Sequence, residues 1–289
     1  MTVQPNKTER TKRVFIKTFG CQMNVYDSEK MAYLLEAEDY QVISDMEDAD
    51  VILLNTCSIR EKPEHKIYSI LGRLKVLKDQ KPNLILGVGG CVAQQEGERL
   101  LEQSPQVDLV FGTQRIGALP SLLNVVAEQR ARVCDVEMSA DECLDGYVRS
   151  VLPESVSAYV SVIRGCNNFC SYCVVPYVRG REHSRPESEI VKEVEHLAGR
   201  GVKEIVLLGQ NVNSYGNDCG ITNGFPRLLT ALNEVAGLKR IRFITSHPKD
   251  LSGQLIRCFG ELDKLCEHIH LPVQSGSGTV LKLMNRGYT

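Results

Sequence analysis

The chain has 289 residues, 43% hydrophobic and 24% charged, with a formal net charge of −2. That length suffices for two domains with a buried core. The near-neutral charge decides nothing about a nucleic-acid partner, which depends on a local basic face. No apolar run approaches the roughly 18 residues of a membrane span. Residues 1–12 are polar without the apolar core of a secretory signal, and are expected to form a disordered tail. Eleven cysteines in such a chain point to metal or redox chemistry in the reducing cytosol rather than to a disulfide frame.

In chain order, residues 14–19 read as a strand and 27–38 as a helix with Met31, Leu34 and Leu35 on one face. Residues 51–54 form a short continuous apolar strand, followed by a helical stretch over 59–78 with Pro63 early in it, where proline is tolerated. A strand over 84–88, a helix over 96–101, a strand over 107–111 and a helix over 119–127 continue the series. Continuous apolar strands separated by amphipathic helices predict an α/β fold, an open parallel sheet covered on both faces, over 13–129. The pattern lapses over 130–157, which reads as a linker. A second series then begins with a strand over 158–163. Ser184-Arg-Pro-Glu187 reads as a capping box for a helix that buries Ile190, Val191, Val194, Leu197 and Ala198 and stops at Gly199 and Gly201. Strands over 204–208, 241–244 and 268–271 alternate with helices over 226–235 and 251–259. Four βα units with right-handed crossovers predict a partial (β/α) barrel over 158–289.

Cys166-Asn-Asn-Phe-Cys170-Ser-Tyr-Cys173 falls directly after the first strand of that barrel, where the loops carry the chemistry. Three thiolates so close together can hold three irons of a cubane cluster and leave the fourth open. The alternative is a zinc site, which prefers four closed ligands and has His183 as its nearby candidate for the fourth. The Cys-x-x-x-Cys-x-x-Cys loop resembles the signature of the radical S-adenosylmethionine superfamily. That resemblance implies S-adenosylmethionine chelated at the open iron, and a 5′-deoxyadenosyl radical formed when one electron splits its sulfonium. The protein's part is to orient the cofactor and exclude water.

Cys21, Cys57 and Cys91 are distant in sequence, yet each lies just past a predicted strand, beside Gly20, Thr56 and Gly90. In an open parallel sheet the carboxyl ends of adjacent strands border one crevice, and glycine lets backbone approach a bulky ligand. Any one of the three alone reads as a buried core cysteine; three in equivalent positions read as a shared metal or cluster site. The stretches Gly20-Cys-Gln-Met-Asn24, Asn55-Thr-Cys-Ser-Ile-Arg60 and Gly90-Cys-Val-Ala-Gln-Gln95 resemble the N-terminal domain of the methylthiotransferase family, over nearly the whole chain after Arg13. The resemblance implies a second 4Fe–4S cluster that supplies or carries the inserted sulfur. The Gln-Met-Asn sequence after Cys21 and the run from Arg164 to Glu182 resemble the branch that methylthiolates C2 of N6-isopentenyl-adenosine beside the tRNA anticodon. The related alternatives are another tRNA adenosine or a ribosomal-protein side chain; the alternative of another class is a non-catalytic iron–sulfur redox sensor or RNA-binding protein.

Polar residues after the later strands read either as cofactor contacts or as caps and turns. The resemblance favours cofactor contacts for Gln210, Asn211, Ser246 and Gln274, and an adenine-packing role for Tyr172. Arg179, Arg181 and Arg185 form a basic cluster suited to tRNA phosphate, or a solvated charged loop. Cys134, Cys143, Cys219, Cys258 and Cys266 read as ordinary thiols. The resemblance further implies a tRNA substrate, a small electron-donor protein, no membrane and a cytoplasmic monomer. Family members are longer, with about six barrel strands and a β-rich RNA-binding domain, so this chain is expected to leave a barrel edge uncovered.

Overall fold

The computed structural model describes residues 11–58, 61–138 and 155–289. The chain forms two compact units, one of Met1–Phe19 with Met31–Glu137 and one of Gly20–Lys30 with Met138–Thr289.

The first unit is built on strands β1 (Lys12–Thr18), β2 (Tyr40–Val42), β3 (Val51–Thr56), β4 (Ile85–Gly90), β5 (Leu109–Phe111) and β6 (Val133–Asp135). They form one all-parallel sheet in the order β2-β1-β3-β4-β5-β6. Every residue of β3 is buried, as a central strand covered on both faces requires. The pleat divides it. Ile52 and Leu54 point into a core with Ile67, Leu71 and Leu74 of α2 (Glu61–Gln80) and Leu100 of α4 (Glu98–Gln103). Val51 and Leu53 point into the opposite core with Met31 and Leu35 of α1 (Gln22–Glu36) and Leu119 and Leu123 of α5 (Leu119–Gln129). Strand order reverses between β1 and β3, and outside the carboxyl ends at such a switch point lies the usual ligand crevice of open α/β sheets.

Three features depart from the sequence-based expectation. The helix expected over 96–101 is two short helices, α3 (Cys91–Glu96) and α4, broken at Gly97 with φ +51°. Strand β2 carried too few residues to be predicted. Strand β6 lies in the stretch read as linker; it pairs with β5, Val110 opposite Cys134, so the sheet takes three more residues than its apolar pattern advertised.

The second unit holds a three-stranded parallel sheet in the order β11-β10-β7, with β7 Ser157–Ser161, β10 Glu204–Leu208 and β11 Arg240–Phe243. Helices α7 (Glu187–Gly199), α8 (Gly224–Asn233) and α9 (Gly253–Glu261) cover it. Ile190, Val194 and Leu197 of α7, Leu228, Leu229 and Leu232 of α8, and Leu255 of α9 share one core with Ile205 and Leu207 of β10. Phe225 meets Phe243 edge to face, ring centres 5.1 Å apart. Two-residue strands β8 (Ile163–Arg164) and β9 (His183–Ser184) pair antiparallel. Short helices α6 (Val175–Val178) and α10 (Gly278–Leu283) complete the unit.

The expected strand over 268–271 is irregular backbone; among the described residues the only pairing there is an isolated bridge from Ile241 to Leu265. The capping box also fails. Pro186, whose ring has no polar atom, is the N-cap residue of α7, and the Ser184 hydroxyl instead donates to Asp218 and accepts from the Gly216 N–H. Among the described residues no helix is long and apolar enough to cross a membrane.

Candidate functional site

The Cys166–Cys173 segment leaves the end of β8 and is closed behind by β9, so the short antiparallel pair ties off the excursion that carries it. Gly165 makes the entry with φ +73°, and a Cβ there would collide with the Arg181 carbonyl; glycine alone adopts this backbone without cost. The Cys166 N–H donates to the Gly180 carbonyl at 3.1 Å. Asn167 and Glu182 exchange backbone-to-side-chain bonds at 3.3 Å. Gln210, read as a cofactor contact, accepts from the Gly165 N–H at 2.6 Å: its side chain supports the loop entrance.

Cys166 and Cys170 are buried and Cys173 partly so. Burial pushes the Cys166 thiol up to about 11, helped by Glu182 and by the other two thiols and opposed by the Asn168 N–H. Burial also raises Cys173, with Cys170 adding to it and the Val175 N–H and Arg286 opposing. Cys166 and Cys173 therefore resist becoming anions until a cation joins them, which is the behaviour of ligands that deprotonate on metal binding. Among the described residues no three His, Cys, Asp or Glu side chains gather tightly enough for a single ion, and His183, the candidate fourth zinc ligand, is exposed. A cubane cluster takes its thiolates at three separate irons, a wider ligand set than one ion needs.

The surroundings supply a second test of fit. Asn168 Oδ1, Asn211 Oδ1, Ser246 Oγ and His247 Nε2 are buried with no hydrogen-bond partner among the described residues. Buried polar atoms are almost always partnered, so four such atoms mark a site built for a polar ligand. Two of the four residues, Asn211 and His247, are held by further hydrogen bonds. Asn211 Nδ2 donates to Asp250 at 2.7 Å and to Glu182 at 3.5 Å, leaving its carbonyl over. Asn213 and His247 exchange two bonds, the Asn213 amide donating to the His247 carbonyl and the His247 N–H to Asn213 Oδ1. His247 Nδ1 accepts from the Lys249 N–H, which makes Nε2 the protonated nitrogen of the neutral ring. Burial, with Arg286 and Lys249 nearby, lowers its pKa to about 4. The residues present thus fit a cluster on three cysteines with a polar cofactor beside it.

Of the remaining sequence-based candidates, Ser246 and Asn211 fall in this group and Gln274 does not: it lies exposed on the chain after residue 271 with φ +65°. Tyr172 is 52% exposed, and its hydroxyl accepts from Arg286 at 3.3 Å. His247 and Arg286 escaped the sequence reading; the only signal was that both follow strand-end or helix-end polar runs. The basic cluster resolves into two kinds of arginine. Arg185 is 3% exposed and bonded to Glu193 and the Ser161 carbonyl, both at 2.7 Å. Arg179 is buried against Asp27 at 2.8 Å and donates to Asn24 at 3.2 Å. Burial and pairing remove both from any phosphate-contacting set. Arg181 is exposed, its guanidinium 5.2 Å from the Phe169 ring centre.

In the first unit, Cys57 and Cys91 each follow directly on a strand, after Thr56 of β3 and Gly90 of β4, which are register partners. Both are buried. Gly90 has φ +89°, and a Cβ there would strike the Thr56 carbonyl; the Thr56 hydroxyl donates to the Gly89 carbonyl at 2.6 Å. Cys21 follows β1 through Gly20, φ +107°, and its carbonyl accepts from the N–H groups of Asn24 and Val25 as α1 begins. Cys258 belongs to the second unit's core and Cys134 to β6, and Cys219 is exposed, as for thiols without a site. Cys143 lies outside the described residues.

A parallel α/β unit with cysteines following two of its strands, and a second βα unit in which β8 leads into a three-cysteine loop, match the arrangement expected of an iron–sulfur enzyme of the radical S-adenosylmethionine class. Residues 160–289 match the radical SAM superfamily and residues 13–112 the uncharacterized protein family UPF0004. The chain is similar along nearly its whole length to radical S-adenosylmethionine methylthiotransferases. It is 54% identical over 281 residues to the tRNA-2-methylthio-N(6)-dimethylallyladenosine synthase of Geotalea uraniireducens, covering 97% of this chain and 64% of that protein. It is 50% identical over 278 residues to the synthase of the same name from Syntrophus aciditrophicus, covering 96% and 60%. The chain thus spans less than two thirds of the length of these relatives. Among solved structures it resembles the radical S-adenosylmethionine methyltransferase TsrM of Kitasatospora setae, with TM-score 0.67 and 15% identity over 96% of this chain and 62% of that one. It also resembles the cobalamin-dependent radical enzyme OxsB, with TM-score 0.61 and 14% identity over 97% and 46%. At those identities the likeness is one of fold.

Proposed function

We propose that this chain carries the catalytic part of an enzyme that methylthiolates C2 of N6-isopentenyl-adenosine next to the anticodon of tRNA. The observation that carries the reading is its 50–54% identity, along nearly all its length, to synthases named for that nucleoside, with the three-cysteine loop and its buried polar atoms in place. Cys166, Cys170 and Cys173 would hold one 4Fe–4S cluster. Cys21, Cys57 and Cys91, each just past the end of a neighbouring strand, would hold a second. When bound, such a cluster with S-adenosylmethionine supplies one-electron chemistry able to break an unactivated C–H bond.

The chain's own residues do the positioning. Gly165 and Gln210 shape the loop entrance. Asn211 Oδ1 and Ser246 Oγ offer acceptors, and Ser246 a donor, to a ribose or an amino-acid group. His247 Nε2 offers a donor, and its lowered pKa keeps the ring neutral at pH 7, so that nitrogen holds its proton. Burial of these groups excludes water from the reacting centre. Arg181 is the remaining candidate for phosphate contact, with tRNA as the polynucleotide partner and a small reductant protein as electron donor, both in the cytoplasm.

The test is nucleoside mass spectrometry of tRNA from cells lacking the gene. The methylthio derivative of isopentenyl-adenosine disappears and its unmodified precursor accumulates. An unchanged level contradicts the substrate. An unchanged level together with S-adenosylmethionine cleavage by the purified protein moves the activity to another adenosine or a ribosomal-protein side chain.

A further inference from the structure

The last dozen residues meet the cysteine loop through side chain and backbone alike. Helix α10 ends at Leu283, and the left-handed residues Asn285, φ +54°, and Gly287, φ +68°, follow it where residues 283–286 meet the loop. The Ser171 N–H donates to the Met284 carbonyl at 3.1 Å and its hydroxyl to the Leu283 carbonyl at 2.9 Å. The Asn285 amide donates to the carbonyls of Phe169, at 2.9 Å, and Asn168, at 3.4 Å.

Arg286 is the centre of this clasp. It is 6% exposed, and it makes no ion pair with a carboxylate among the described residues. Its fork is shared among four groups instead. Nη1 donates to Cys170 Sγ and to the Tyr172 hydroxyl, each at 3.3 Å. Nη2 donates to the Pro272 carbonyl at 3.0 Å, and Nε to the Tyr288 hydroxyl at 3.4 Å. The guanidinium also sits 5.5 Å from the Tyr288 ring centre, and the Tyr288 hydroxyl donates onward to the Val273 carbonyl at 2.6 Å.

A buried arginine paired with carboxylates is a structural ion pair, as Arg185 with Glu193 is. A buried arginine whose charge has only neutral oxygens and one cysteine sulfur around it pays the desolvation cost uncompensated unless an anion arrives. The one group within its reach that gains negative charge on loading is Cys170, as a ligand thiolate. A donor and positive charge held on a ligand sulfur stabilise the more negative, reduced state of a cluster, which is how hydrogen bonds to sulfur tune potential.

We propose that Arg286 is a positioning residue that holds the Cys166–Cys173 loop in its ligand geometry and, through its donor on Cys170 Sγ, raises the reduction potential of the cluster bound there. This rests on the reading that Cys166, Cys170 and Cys173 hold a 4Fe–4S cluster. The step it influences is uptake of one electron from an external reductant, with no bond made or broken.

The test uses the full chain with Cys21, Cys57 and Cys91 replaced by alanine, reconstituted anaerobically so that only the loop cluster contributes. Iron is counted, and the reduced cluster is followed by electron paramagnetic resonance during titration with dithionite and mediators. Arg286→Gln retains about four irons, but its ratio of reduced to oxidised cluster at a fixed potential falls about tenfold, the value of one charge-assisted hydrogen bond and equal to about 59 mV for a one-electron couple. Arg286→Lys, which keeps a charge but not the planar fork, shifts the same way by less. Asn285→Ala, which loosens the clasp without touching sulfur, leaves the potential where it is. An unshifted potential in Arg286→Gln, or in Arg286→Lys should the glutamine variant not load, overturns the inference while the cluster reading stands. A parent chain that takes up no iron overturns the cluster reading and the inference with it.

Discussion

Cys166, Cys170 and Cys173 are brought together by one short loop, whereas Cys57 and Cys91 owe their proximity to the register of two strands far apart in sequence. In the loop, a positive-φ glycine and a two-residue antiparallel pair shape the segment locally, and residues 283–286 brace it from far along the chain. At the sheet, nothing local is needed: β3 and β4 are paired from Val51 opposite Ile85 to Thr56 opposite Gly90, and each cysteine is simply the next residue. The contrast teaches that a local site can be disturbed by changes in its loop alone, whereas a strand-end site is as stable as the sheet beneath it.

The largest difference between the two sets is expected in S-adenosylmethionine cleavage. Replacing Cys170 by alanine abolishes 5′-deoxyadenosine formation under dithionite, while replacing Cys57 leaves it and abolishes only methylthio transfer. Loss of cleavage in both variants breaks the division of labour. Next comes the interior ion pair. Arg185→Ala removes the guanidinium that pairs with buried Glu193 and costs about 3–5 kcal/mol, read as a lowered denaturation midpoint; a midpoint unchanged from the parent shows that the pair adds nothing to stability. Gly90→Ala, at φ +89° and against the Thr56 carbonyl, is expected to cost about 1–3 kcal/mol in backbone strain. Urea unfolding checks it, and an effect confined to iron content without loss of stability would say that the glycine serves only the ligand.

Two smaller effects sharpen the picture further. His247 titrates at about 4 in the folded chain against the ordinary 6.5. The unfolded state therefore binds the proton first as pH falls, and stability is full above about 6.5 and lost at up to about 1.4 kcal/mol per pH unit down to 4. His247→Gln flattens that slope, and an unaltered slope in the variant assigns it to other groups. Arg181→Ala leaves stability alone and reduces the salt slope of tRNA binding by about one; an identical slope removes Arg181 from the RNA contacts.

Much of this was legible in the sequence. The loop cysteines declare themselves by spacing, and β3 and β4 by unbroken apolar runs that only a doubly covered strand tolerates. What was hidden depends on partners distant along the chain. Arg179 and Arg185 read as a basic surface until Asp27 and Glu193 are seen beside them. Ser184 looked like a helix cap until Asp218 claimed its hydroxyl. The strand expected over 268–271 has an apolar alternation but meets its neighbour only through isolated bonds, such as the Ser246 N–H to the His270 carbonyl, and Pro272 follows it without an N–H to give. Strand β6 is only three residues long, and its place follows from pairing with β5 rather than from a pattern of its own. Arg286 carries no motif at all; its meaning comes from a helix end that returns to the loop.

The account's central claim is that the chain holds two cubane clusters on two cysteine sets. Its most direct test is iron and sulfide content after anaerobic reconstitution, with and without replacement of Cys21, Cys57 and Cys91 by alanine. About eight irons per chain, falling to about four in the triple variant, is the predicted result. About four in both would contradict it, leaving a single radical cluster and no second site for sulfur insertion.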